Sequence, residues 1–285
     1  MRPSCLAVAI GSVVLIVSGV FARTQGQDPR NAPIPHASGQ SVAPVFEGWF
    51  RNADGTFSLS FGYFNRNHRE ELNIPAGPGN RVEPGPPDQG QPTYFLPRRQ
   101  TGVFTVVVPQ DFGTQKLVWT IVANGQVQSV PGHLRPEWEI DALKEVTSGN
   151  TPPAIRFEPG GRIGQGPGGV STRLDVTLPA PAALVVWATD DDVRKRAAEG
   201  RRGPAMGLTW SKFRGPGRVV FSEVAPKLDE DGKSTTTATF SEPGEYVLRV
   251  LAWDSSGSQA QVMAGGFQCC WTNGYVRVNA RSAPK

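Results

Sequence analysis

Two groups of side chains in this 285-residue sequence, and three scattered histidines, are of types that do chemistry. One group is the carboxylate run Asp190-Asp191-Asp192 together with Asp254. The other is the adjacent pair Cys269 and Cys270, followed by Trp271. Clustered carboxylates repel one another unless a cation or a base stands among them. Calcium is the natural cation for an oxygen-rich site, with Asp190, Asp192 and Asp254 as its candidate ligands and no other cofactor expected. The competing reading is that Arg194, Lys195, Arg196, Arg201 and Arg202 of the adjacent segment neutralise the aspartates. It is favoured, because the acidic spacing matches no complete calcium loop. Asp229-Glu230-Asp231-Gly232 lacks the EF-hand ladder and reads as a solvated loop.

The cysteines allow fewer structures. Adjacent Cα atoms lie about 3.8 Å apart across a trans peptide, short of the usual disulfide span, so a vicinal bridge needs a distorted ring. Two buried thiols or a structural vicinal pair come first, and a functional thiol or redox switch second. A thiolate metal site needs more donors than these two. His36, His68 and His133 stand alone, with no HExxH spacing and no G-x-S-x-G elbow, so no catalytic residue is assigned. Triads assemble in space, which leaves a hydrolase as an alternative. Gly164-x-Gly166-x-x-Gly169 matches a dinucleotide loop formally, but it follows a proline-broken segment and leads into a strand rather than a helix.

The elements that must position these groups begin after an export signal. Arg2 precedes the apolar run Leu6 to Phe21, and Val20-Phe21-Ala22 has the small-x-small pattern of a cleavage site. Residues 1–22 are read as a signal peptide, giving an exported, periplasmic or extracellular chain with no membrane span after cleavage. Cleavage removes Cys5 and leaves a net charge of about +3, too slight to argue for nucleic acid. The sequence has 26 prolines, 33 glycines and only 38% hydrophobic residues, which suits short strands and many turns. Residues 23–43 read as a disordered tether and 44–147 as an N-terminal β-sandwich. In the latter, Phe57, Leu59, Phe61 and Tyr63 alternate along one strand, and Asn73 to Pro97 forms a long loop with seven prolines. Residues 148–169 read as a Pro/Gly linker and 170–281 as a second sandwich. Its run Glu245 to Trp253 alternates with both faces largely apolar, as in a strand covered on both sides.

The second sandwich is similar to the PKD-type immunoglobulin-like domains of bacterial exported proteins over about residues 170–280. The likeness rests on Leu208-Thr209-Trp210-Ser211-Lys212, Gly215-Pro216-Gly217-x-Val219-x-Phe221, Pro243-Gly244-Glu245-Tyr246-Val247-Leu248-Arg249 and Ala252-Trp253-Asp254. Asp175-Val176-Thr177-Leu178-Pro179 and Ala188 to Asp192 fit its opening strands. The insert Val193 to Ala205 and the segment around Cys269-Cys270 depart from the pattern. The first domain resembles uncharacterised exported bacterial proteins, a likeness that carries no activity. The expected fold is therefore all-β: two antiparallel β-sandwich domains, the C-terminal one immunoglobulin-like. In such a sandwich the ends of the strands Ala183–Thr189 and Glu245–Trp253 meet, bringing Asp190, Asp191, Asp192 and Asp254 toward Cys269, Cys270 and Trp271 as the candidate ligand site.

The resemblance implies a non-catalytic binding or assembly module of the cell envelope, partnered by a protein or a polysaccharide. A carbohydrate-recognition accessory is the first alternative, using Trp49, Tyr63, Tyr94 and Trp119 with Asn65, Arg66 and Asn67. A thiol-dependent or hydrolytic enzyme is the second.

Overall fold

In the computed structural model, residues 36–146, 148–191, 206–254 and 269–283 are described. Period-two alternation in the first half of the chain produces eight strands: β1 (Val42–Arg51), β2 (Phe57–Asn65), β3 (Leu72–Asn73), β4 (Asn80–Glu83), β5 (Tyr94–Phe95), β6 (Arg98–Val108), β7 (Leu117–Ala123) and β8 (Gln126–Gly132). They form two three-stranded antiparallel sheets, β1-β2-β6 and β4-β7-β8, and a short β3-β5 ladder. Leu59, Phe61 and Tyr63 of β2 meet Trp119 and Ile121 of β7 in one core, Trp119 edge-on to Phe61 and Phe104. The polar face of β2 is covered too. Arg99 donates to both Glu47 oxygens, at 2.8 and 2.9 Å, directly over Gly62. The segment 134–143 contains the 3-10 turn Pro136–Trp138, to which Trp49 is pinned through Arg135 O at 2.8 Å.

The second set is β9 (Ala154–Arg156), β10 (Val170–Leu178), β11 (Ala182–Thr189), β12 (Met206–Arg214), β13 (Val219–Phe221), β14 (Lys233–Phe240), β15 (Gly244–Asp254) and β16 (Trp271–Ser282). One sheet runs β13-β14-β11-β9 and the other β10-β16-β15-β12. This is the immunoglobulin arrangement, in which the first strand is divided between the two sheets as β9 and β10. The β10–β16 pairing is parallel, and the rest of both sheets is antiparallel. Trp210 of β12 lies in the core at 1% exposure. The Tyr246 hydroxyl donates to Glu242 O at 2.7 Å and accepts from Gly217 N–H at 3.2 Å, the tyrosine corner of such sandwiches.

One expectation needs revising. The stretch 148–169 does more than link. Ile155 of β9 is 1% exposed in the second core, and β9 pairs with the end of β11. Its prolines and glycines concealed a three-residue strand too short for a periodicity signal. Among the described residues no helix is long and apolar enough to cross a membrane. Tyr246→Phe should lower unfolding free energy by roughly 1–3 kcal/mol, because it strips partners from Glu242 O and Gly217 N–H; urea titration of the purified chain measures this.

Candidate functional site

The site forecast at the loop end is built around Asn150 and Thr151, neither of which the sequence singled out. Asn150 is fully buried; its Nδ2 donates to Asp254 Oδ2 at 2.6 Å and lies 3.1 Å from Cys270 Sγ. Thr151 holds Asp191 by its backbone N–H at 2.8 Å and its hydroxyl at 2.9 Å. Two adjacent residues thus tie the end of β15 to the end of β11, and Asp191 and Asp254 do belong to one neighbourhood. Asp254 is 0% exposed, and its backbone N–H also points to Cys270 O at 3.4 Å. Asp190 follows β11 directly, while Asp192 and the basic insert 193–205 lie outside the described residues. One oxygen of Asp254 is taken by the Asn150 amide, and among the described residues no three His, Cys, Asp or Glu side chains converge on a metal position.

Cys269 and Cys270 form a vicinal disulfide with Cα atoms 3.1 Å apart across a cis peptide, and the pair is 1% and 0% exposed. Trp271, expected to face a ligand, faces the other sandwich instead. It is 3% exposed and its Nε1 donates to Gly102 O at 3.3 Å.

Gly102 is the meeting point of the two halves. Its carbonyl also accepts from Asn273 Nδ2 at 2.9 Å and from Arg249 Nη2 at 3.2 Å. Arg249 is 5% exposed, and its Nε donates to Asn273 Oδ1 at 2.8 Å. Among the described residues no carboxylate lies within ion-pairing distance of Arg249, so neutral oxygens hold this buried cation, whose pKa burial pushes down. Burial likewise pushes the Glu47 carboxyl up, against the opposing pull of Arg99. Tyr275 adds a hydrogen bond from its hydroxyl to Val103 O at 2.8 Å. Only glycine fits here: φ of Gly102 is +53°, and a Cβ would stand 2.2 Å from Trp271 Cζ2.

The proline-rich loop makes the second junction. Arg214 of β12 clasps Asp88 with two bonds of 2.9 and 2.7 Å and donates through Nε to Gln91 O at 2.8 Å. Thr93 N–H donates to Phe213 O at 3.1 Å, and the Lys212 ammonium sits 4.2 Å from the centre of the Tyr94 ring. Asn80 and Gln91, both fully buried, brace the loop from inside.

The aromatic surface considered for sugar is largely internal, with Trp49, Tyr63 and Trp119 at 3%, 2% and 0% exposure. Asn65 and Asn67 are fully buried as well. His133 packs edge-on between Phe46 and Trp138, and burial depresses its pKa. The glycines of the formal dinucleotide motif serve packing. Gly166 N–H bonds Thr272 Oγ1 at 2.8 Å, and a Cβ on Gly169 would meet Asn273 O at 1.7 Å.

Gly102→Ala should cost about 2–4 kcal/mol from overpacking and backbone strain. Replacing the facing ring as well, in Gly102→Ala/Trp271→Leu, should recover part of any loss due to the clash; calorimetry of both variants tests it. At the other junction, the hydrogen bond from Arg214 holds the Asp88 carboxyl below its ordinary range. Its stabilising effect is therefore complete above the unfolded value of about 3.9 and fades as pH falls through the lower folded value. The hydrogen-exchange protection factor of the Thr93 amide should fall in that window, and in Arg214→Gln it should be low at every pH.

No protein-family model matches the chain, and no curated protein matches it. Several solved structures align over most of its length. Domains 4 and 5 of the S-layer protein SbsC share 12% identity, covering 85% of this chain and 98% of that one, with a TM-score of 0.24. The D00-D0 domain of intimin shares 11%, covering 84% and 99%, at 0.27. The fibronectin(III)-like modules of Clostridium thermocellum CbhA share 9%, covering 85% and 95%, at 0.23. Similarity at this level carries no argument about activity, and the all-β assignment rests on the sheets themselves.

Proposed function

We propose that this chain is an exported, non-catalytic module of the bacterial cell envelope. In this reading it presents a protein or polysaccharide partner with two β-sandwiches locked into one rigid body. The observation that carries the reading is the Gly102 junction, where Arg249, Trp271 and Asn273 of the second sandwich all donate to one carbonyl of the first. Such a contact loses three hydrogen bonds and the covered surface of Trp271 together if it opens, which favours one relative orientation of the two halves. Fixed relative orientation is what a scaffold or adhesion unit requires, whereas a lid or cleft enzyme requires the opposite. The second support is the state of the groups that could react. Cys269 and Cys270 are joined to each other and buried, and Asn150, Asp191 and Asp254 are drawn into the frame.

The test uses the full-length gene product with a C-terminal tag, followed by fractionation and crosslinking in its native cell. The mature chain should begin after Ala22, lie outside the cytoplasmic membrane, and crosslink reproducibly to one envelope component. Cys269→Ser/Cys270→Ser should retain that crosslink, since the pair is structural. Retention in the cytoplasm would overturn the export element. Turnover of a substrate by the purified chain, abolished by the cysteine substitutions, would overturn the non-catalytic one.

A further inference from the structure

Between the two junctions the sandwiches leave a cleft of about 250 Å³. Its lining takes rings from both halves, the half-buried Tyr275 and, behind it, the nearly buried Phe104 and Phe213. Its rim carries three arginines, Arg162, Arg214 and Arg277. Arg214 is already committed to Asp88 and Gln91, and it fixes one wall. Arg162 and Arg277 are exposed, and among the described residues neither has a carboxylate within 4.0 Å. Asp88 offsets one of the three charges, so the cleft stays positive in a chain whose net charge is small.

We infer that this cleft binds an acidic sugar unit, a uronate residue of a carboxylated polysaccharide. The inference rests on the binding-module reading above and adds a ligand class and a place for it. Planar guanidinium groups pair with carboxylates through two parallel hydrogen bonds, and two unpaired ones on a single rim suit a carboxylated ligand. Apolar ring edges below them suit the C–H face of a pyranose. The Ser171 and Thr105 hydroxyls in the lining supply partners for sugar hydroxyls, which an acidic peptide would leave unused. The volume lies just under the roughly 300–1,000 Å³ of drug-sized pockets, matching one ring of a polymer rather than a folded epitope. Clefts between domains are a preferred location for such sites, and the two junctions keep this one pre-formed.

The experiment is affinity electrophoresis of the purified mature chain in gels containing polygalacturonate, neutral dextran or poly-aspartate, at about 0.15 M salt to screen long-range attraction. Retardation is expected in polygalacturonate alone. Arg162→Gln/Arg277→Gln should weaken it about tenfold or more, because two charge-assisted contacts are lost. Arg218→Gln, exposed and outside the cleft, should leave it unchanged. Both target arginines are exposed, so the double variant should keep the parent melting temperature. A galacturonate titration should also shift the Tyr275 ring resonances in the parent and not in the variant. The inference falls if polygalacturonate causes no retardation, if Arg218→Gln weakens it equally, or if poly-aspartate retards the chain as strongly. Any of these results would leave the crosslinking and export outcomes untouched, so failure here is distinct from failure of the module reading.

Discussion

The fold of the described chain depends on how a buried positive charge is satisfied where two sandwiches meet. Arg249 sits on a strand whose other face is the core of the second sandwich, so its side chain is directed at the first and is buried there. Hydrogen bonds to a charged group contribute about 1.5–3 kcal/mol each, and the penalty for removing a partner is larger than the gain from adding one. The Gly102 carbonyl and the Asn273 side chain therefore act as a requirement more than an ornament. That requirement fixes Gly102 as glycine, directs Trp271 toward β6, and gives β16 its polar run Thr272-Asn273 in an otherwise covered sheet.

The same constraint explains the loop end. A sandwich that must hold β15 and β16 in fixed register at the junction also has to fasten the ends of those strands. The vicinal disulfide and Asn150 do this just before β16 begins, within hydrogen-bonding reach of Asp254 at the end of β15. Residues whose types suggest metal or redox chemistry are in this chain drawn into hydrogen bonds that hold the frame. The proline-rich loop belongs to the same scheme from the opposite partner: its length lets it cross to β12, where Asp88, Gln91, Thr93 and Tyr94 all touch the second sandwich.

How much of this could be read in advance varies with the kind of signal. Strands such as β2, β7, β11 and β15 were legible because their residue types alternate along the strand, although only in β11 does burial alternate with them. Trp210 was legible as an inter-sheet residue, and so was the grouping of Asp191 with Asp254, because immunoglobulin topology dictates which strand ends meet. The junction was not. Arg249 gave the available hint, a charge in a strand apolar on both faces, but nothing local says which carbonyl answers it 147 positions away. Asn150 and Gly102 are single polar or small residues in segments that read as linker and strand, and their importance comes only from long-range packing. Trp271 was placed near the strand ends, but its contact with Gly102 was not legible, since an aromatic beside a turn carries no mark of which neighbour it will meet.

The divided opening strand has a mechanical corollary. β10 runs alongside β16 in parallel over nine residue pairs, from Val170 against Gly274 to Leu178 against Ser282. Tension entering at the start of β10 and leaving at the end of β16 would pull these neighbours past each other lengthwise. All the ladder bonds then resist together instead of opening one after another like a zipper. A chain anchored through its ends in this way would yield abruptly at high force and remain stiff below it.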